Sequence, residues 1–122
     1  MQRKVNRSDR LNAEFQKEIY DIISRKLKNP LVSAMFSIVA VDTSRDLSHA
    51  KVYVSVYSKD QEKKTATFEA IKADAKKIRY ELSKVIRAHT VPELHFFYIF
   101  QESHLILQLN QRWFMNLLLH LI

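Results

Sequence analysis

The groups in this chain able to do chemistry are five histidines, thirteen carboxylates and twenty lysines and arginines. His49, His89, His95, His104 and His120 lack the His-Glu-x-x-His spacing that sets two imidazoles and a general base on one helix face. Asp46, Ser48 and His49 have the residue types of a hydrolytic triad but stand too close in the chain to form one. His89 and Glu93 flank Pro92 and read as turn residues. Cysteine is absent, which removes thiolate nucleophiles, thiolate metal sites and disulfides. Glycine is absent too. Without it the chain holds no P-loop, dinucleotide fingerprint or nucleophile elbow, because each needs backbone that turns sharply or closely approaches a ligand. The residues therefore read as those of a non-enzyme, with no catalytic residue, no metal and no cofactor.

The basic residues are different, because they are sorted. Winding Phe68 to Ala88 as a helix places Phe68, Ile71, Ala75, Ile78, Leu82, Val85 and Ile86 on one arc, as a core-facing helix requires. Lys72, Lys76, Lys77, Arg79, Tyr80, Lys84 and Arg87 fall on another arc, with Asp74 and Glu81 held away from most of them. Such a face is either merely solvated or suited to nucleic acid, where lysine and arginine neutralise phosphates and release counterions. A second basic group, Arg3, Lys4, Arg7 and Arg10, precedes the first helix as an arm. The whole chain carries a formal charge of +7 and an isoelectric point near 9.7, which favours a polyanionic partner, nucleic acid or an acidic membrane surface.

The elements that must position these groups follow from periodicity. Leu11, Phe15, Ile19, Ile22, Ile23 and Leu27 predict an amphipathic helix from about Ser8 to Lys28, stopped by Pro30. "MFSIVAVDT" (35–43) and "SHAKVYVSVYS" (48–58) predict an antiparallel strand pair, joined by a turn built on Asp46. In the second strand Ala50, Val52, Val54 and Val56 face the core, while Lys51, Tyr53, Ser55 and Tyr57 face away. The two tyrosines offer stacking faces for bases or cross-strand packing. Residues 59–67 read as a polar connection, and "LHFFYIF" (94–100) as a third strand beyond a break at Val91. At 122 residues the chain is one domain's worth, an α+β arrangement in the order helix, strand, strand, helix, strand, with helices on one face of a small sheet.

The opening segment carries Glu14, Lys17, Glu18 and Asp21 where a secretory signal would be continuously apolar, so no export signal is read and the cytoplasm is expected.

"SIVAVDTSRDLSHAKVYVSVYS", the Ile78–Arg79 pair and "VPELHFFY" together resemble the bacterial ribosome-binding factor A family in order and spacing, over about Val5 to Tyr98. The helix ending in "LKNPL" is similar as well, with Asn29 where that family usually has aspartate. The resemblance implies a type II KH-like fold over residues 1–100, with 1–10 as the basic arm. It implies a monomeric, cytoplasmic assembly factor that binds the free small (30S) ribosomal subunit and its 16S rRNA. Such a factor supports late maturation and 5′-end processing, matters most in the cold, and takes no small-molecule substrate or membrane partner. On this reading Arg3, Lys4, Arg7, Arg10, Lys72, Lys76, Lys77, Arg79, Lys84 and Arg87 contact RNA.

Two departures stand out. Where the family has an Ala-x-Gly kink, this chain has Asp74, Ala75 and Lys76, which predicts a less interrupted helix than the family norm. After Tyr98 the family pattern ends and "IFQESHLILQLNQRWFMNLLLHLI" follows. Its ten-residue apolar run, Trp113 to Ile122, is shorter than the roughly 20 residues that span a bilayer. Residues 101–122 read as an atypical tail: a helix buried on the sheet, a protein-interaction or dimerisation element, or a stretch in a shifted reading frame.

Overall fold

The structure is a computed structural model that describes residues 7–86 and 90–99. Six regular elements and one irregular helical segment follow in order: α1 (Arg7–Asp21), a π-helical segment (Ile22–Leu27), β1 (Met35–Thr43), β2 (His49–Tyr57), α2 (Gln61–Ala73), α3 (Ala75–Val85) and β3 (Glu93–Tyr98). The basic arm up to residue 6 and the tail from residue 101 lie outside the described residues.

The helical spacing of α1 buries Phe15 and Ile19, and the π-helical segment continues the same face with Ile22 and Ile23. The segment ends at Lys28, whose φ of 44° and ψ of 43° are left-handed. Glycine is the usual occupant of that position, since a Cβ there costs about 1–2 kcal/mol. Asn29 then makes a turn with Pro30, its Oδ1 accepting from the Leu31 N–H at 3.0 Å.

β1 and β2 pair antiparallel, and β2 pairs parallel with β3, giving the sheet order β1-β2-β3. A parallel pair needs a long crossover, which α2 and α3 supply. As the central strand, β2 buries Ala50, Val52, Val54 and Val56 completely, and these meet Ile71 of α2 and Ile78 and Leu82 of α3 in one core. The Asp46 turn forms as expected. Its carboxylate accepts from Ser44 Oγ (2.7 Å), Ser48 Oγ (2.6 Å) and the Ser48 N–H (3.1 Å), while Leu47 takes a left-handed φ of 61°.

Two polar residues of α1 complete β1. The β1–β2 register slips at Val39, between Ile38 and Ala40, as in a bulge. Gln16 Nε2 donates to the Ile38 carbonyl at 2.8 Å and the Val39 carbonyl at 3.3 Å, satisfying backbone at the irregularity. One helical turn earlier, Asn12 Oδ1 accepts from both the N–H and the hydroxyl of Thr43, at 3.1 and 2.6 Å.

The region of the expected second helix differs in three respects. First, the helix starts at Gln61, capped by the Asp60 side chain accepting from the Glu62 N–H at 3.0 Å, so most of the expected polar connection is helical. Thr67 from that stretch is fully buried and its hydroxyl accepts from the Ala34 N–H at 3.2 Å. Second, the helix is interrupted at Asp74, which has φ −87° and ψ 9°. No glycine is needed for this break, because those angles are open to any L-residue. Asn29 Nδ2 donates to Asp74 Oδ2 at 2.9 Å and ties the joint to the Pro30 turn. Third, α3 ends at Val85 and the backbone of Ile86 is extended. Ile86 therefore turns into the core, while Val85, expected there, is 37% exposed.

Candidate nucleic-acid interface

Burial of Ile78 and Leu82 against the sheet fixes the rotation of α3 about its axis. The opposite side then carries Lys76, Lys77 and Tyr80, all exposed and within one turn of each other. One turn further on, the Lys84 ammonium sits 4.5 Å from the centroid of the Tyr80 ring, a cation–π contact. The π-helical segment runs alongside and adds Lys26. Glu81 lies between the two helices, 3.3 Å from Lys84 Nζ and 3.9 Å from Lys26 Nζ. Leu27, Lys76, Lys77, Tyr80 and Glu81 line an open concavity of about 340 Å³. Lys26, Lys76, Lys77 and Lys84 thus share one surface with a carboxylate and an exposed phenol ring. This arrangement offers point charges to phosphates and a flat apolar face to a base or sugar.

The expected contact residues do not all belong to this surface. Arg79 is exposed, but its Nε and Nη2 both donate to the Val91 carbonyl, at 3.2 and 3.0 Å, clamping α3 to the connection into β3. Lys72 is exposed on α2 and Arg10 is exposed near the start of α1. The side chain of Arg7, together with Arg3, Lys4 and Arg87, lies outside the described residues. Lys26 was missed by sequence reasoning. The signal that would have found it is its position at the end of the first helical run, one residue before Leu27.

On the sheet, Tyr53 stacks on Phe97 with ring centroids 5.6 Å apart, and the Tyr57 hydroxyl is 3.1 Å from Ser37 Oγ. Both tyrosines are engaged in sheet packing. Burial, and secondarily the Asp42 carboxylate, push the Tyr53 phenol upward from its ordinary value. Glu93, expected in a turn, instead opens β3 and pairs in register with His49. His49, Glu93 and His95 bring three donor atoms within 4.8 Å of one another, a grouping that helix-based spacing cannot reveal.

The ribosome-binding factor A family profile matches residues 7–101. A relative of that name from Caldicellulosiruptor bescii is 46% identical over 94 residues, covering 76% of this chain and 71% of its own. This chain belongs to the ribosome-binding factor A family. The crystal structure of ribosome-binding factor A from Thermus thermophilus superposes with a TM-score of 0.63 at 22% identity, covering 75% of this chain and 93% of that one. A homology model of the Thermus thermophilus factor, fitted into the cryo-EM map of a 30S complex, matches with a TM-score of 0.57 at 21% identity, covering 70% and 88%. The type II KH-like α+β fold implied by the family resemblance is the fold present: three helices and a three-stranded mixed sheet. The family is one of ribosome-binding factors, and among the described residues no helix is long and apolar enough to cross a membrane.

Proposed function

We propose that this chain is a cytoplasmic assembly factor that binds the free small ribosomal subunit as a monomer. It contacts 16S rRNA phosphates through Lys76, Lys77 and Lys84 of α3 together with Lys26, and supports late maturation, 5′-end processing and growth in the cold. The observation that carries the reading is the exposed lysine cluster around Tyr80, on a chain whose family is named for ribosome binding. A Thermus relative fitted into the map of a 30S complex supports the choice of subunit. Lys72 and Arg10, which are exposed, are further phosphate contacts in this reading, as are Arg3, Lys4, Arg7 and Arg87 on the basis of their charge in the sequence. Arg79 acts in this reading mainly as the clamp on Val91. Phosphate contacts set affinity, and fit to RNA shape sets specificity.

Gradient sedimentation of the protein with ribosomal particles tests the partner. Comigration with free small subunits is expected, and comigration with translating ribosomes in preference to them refutes it. Replacing Lys76, Lys77 and Lys84 together by glutamine tests the surface. With about 0.7–0.9 of a counterion released per phosphate neutralised, the salt slope of binding should fall by about 2–3. An unchanged slope excludes this face.

A further inference from the structure

We propose that His49, Glu93 and His95 form a binding site for one divalent transition-metal ion of the zinc, cobalt or nickel type, at the start of the β2–β3 pair. The placement follows from register. In the parallel pair His49 stands opposite Glu93 and Lys51 opposite His95. Residues two apart on a strand share a face, so Glu93 and His95 both lie on the side bearing His49. This is the face opposite Ala50, Val52, Leu94 and Phe96, which are buried in the core. The donors are therefore reachable from solvent, and the His49 and Glu93 side chains are more than half exposed, at 58% and 59%.

Distances fit one ion. His49 Nδ1 is 2.9 Å from His95 Nε2 and 3.8 Å from a Glu93 carboxylate oxygen, and all three donors fall within 4.8 Å. Zinc–nitrogen bonds of about 2.0–2.1 Å put two ligands about 2.9 Å apart at a right angle and about 3.3 Å apart at a tetrahedral one. The imidazole pair already lies at the first of these separations, and a small rotation of the exposed glutamate closes the rest. The close contact between rings also requires one donor and one acceptor nitrogen, so a single proton lies where the metal would go. Metal binding at these two nitrogens moves that proton to the other nitrogen of the donor ring.

The donor set selects the ion class. Two imidazoles and one carboxylate suit zinc, cobalt, nickel or copper, whereas magnesium and calcium prefer all-oxygen ligation. One carboxylate against a divalent ion leaves net positive charge. Lys51 opposes the site but is exposed, and Asp42 stands opposite Lys51 on β1. Three protein ligands leave an open position for water. Bound metal would join the first residue of β2 to the first and third residues of β3, beside the bond from the Glu93 N–H to the Ser48 carbonyl. It would thereby stabilise the native state by linkage.

The test is titration of the chelator-treated full chain with zinc followed by calorimetry, and with cobalt followed by its visible absorption. One ion per chain and a thermal midpoint that rises with zinc are expected. His49→Gln, Glu93→Gln and His95→Gln should each weaken binding at least about tenfold, since even outer-shell changes cost about 10–100-fold. His104→Gln and His120→Gln should leave it unchanged. Because His49 and Glu93 are exposed, their variants keep the fold, which far-ultraviolet circular dichroism verifies. Four results would overturn the site: no saturable zinc binding; full affinity in both His49→Gln and His95→Gln; loss only in the His104 or His120 variants; or equal affinity for magnesium.

Discussion

Replacing Asn29 by aspartate isolates what holds the break between α2 and α3. The Asn29 amide donates to the Asp74 carboxylate at 2.9 Å across 45 positions of sequence, in a partly buried setting. In Asn29→Asp the acceptor for the Leu31 N–H survives, but the donor becomes a second carboxylate oxygen facing the first. Losing a hydrogen bond to a charged group costs about 1.5–3 kcal/mol. Two like charges about 4 Å apart add about 1 kcal/mol in water and about 4 kcal/mol at an effective dielectric near 20, and side-chain rotation relieves part of that. A loss of about 2–4 kcal/mol is therefore expected, read as a lower urea midpoint at unchanged slope. Asp74→Asn alone keeps a neutral amide pair and should cost about 1 kcal/mol. Asn29→Asp combined with Asp74→Asn restores an amide–carboxylate pair in reverse, so the double variant should be more stable than Asn29→Asp. The sign with pH follows. Protonating one carboxyl of the introduced pair removes the repulsion and supplies a donor, so the folded variant takes up a proton and its deficit shrinks as pH falls. A single variant within about 0.5 kcal/mol of the parent, or a double variant no more stable than the single, would refute the reasoning.

Three further outcomes follow from particular residues. Thr67→Val leaves the Ala34 N–H without its acceptor and should cost about 1–3 kcal/mol by urea unfolding, whereas Thr67→Ser keeps the hydroxyl; equal losses would dismiss the bond. Lys28→Gly relieves a left-handed Cβ cost of about 1–2 kcal/mol against a glycine entropy cost of about 0.5–1, so stability should rise by up to about 1 kcal/mol, and a fall would contradict the strain. The Ser48 hydroxyl first, then the Ser44 hydroxyl and the Ser48 N–H, hold the Asp46 carboxyl down from 3.8 to about 2. Because the folded value is the lower one, its stabilisation is present above about pH 4 and lost as pH falls toward 2. Carboxyl NMR should place the Asp46 midpoint near 2, Asp46→Asn should flatten the acid limb of stability, and an ordinary midpoint would show that the serines do not bind it in solution.

Much of this fold is legible because its signals are local. Ala50, Val52, Val54 and Val56 alternate with period two and all end fully buried, and the Asp46 turn is written in its own serines. The first turns of α2 were not legible, since "QEKKTA" has no apolar stripe and Thr67 and Phe68 are the first residues of the helix to reach the core. The parallel pairing of β3 is invisible to periodicity, which reports faces and not neighbours. The candidate interface divides in the same way. Lys76, Lys77, Tyr80 and Lys84 share a helix face and could be grouped from spacing alone. Lys26 joins them through tertiary packing, and Arg79 leaves them because the Val91 carbonyl comes within its reach.

The glycine-free joint and the lysine surface are one mechanical unit. Lys28 turns the chain with a left-handed backbone, Asn29 next to it bonds Asp74, and Asp74 starts α3. Leu27 just before that joint, and Lys76, Lys77 and Tyr80 just after it, line the same concavity, and Lys26 reaches its edge through Glu81. The Asn29–Asp74 bond therefore sets the separation of the two lysine groups without itself meeting a phosphate. Asn29→Asp should then weaken RNA binding at every salt concentration while leaving the salt slope nearly unchanged, because the number of phosphates neutralised is the same. The triple lysine variant should do the reverse and lower the slope. A parallel loss of slope in Asn29→Asp would mean that the joint positions no charge, and that the two sides of the concavity bind independently.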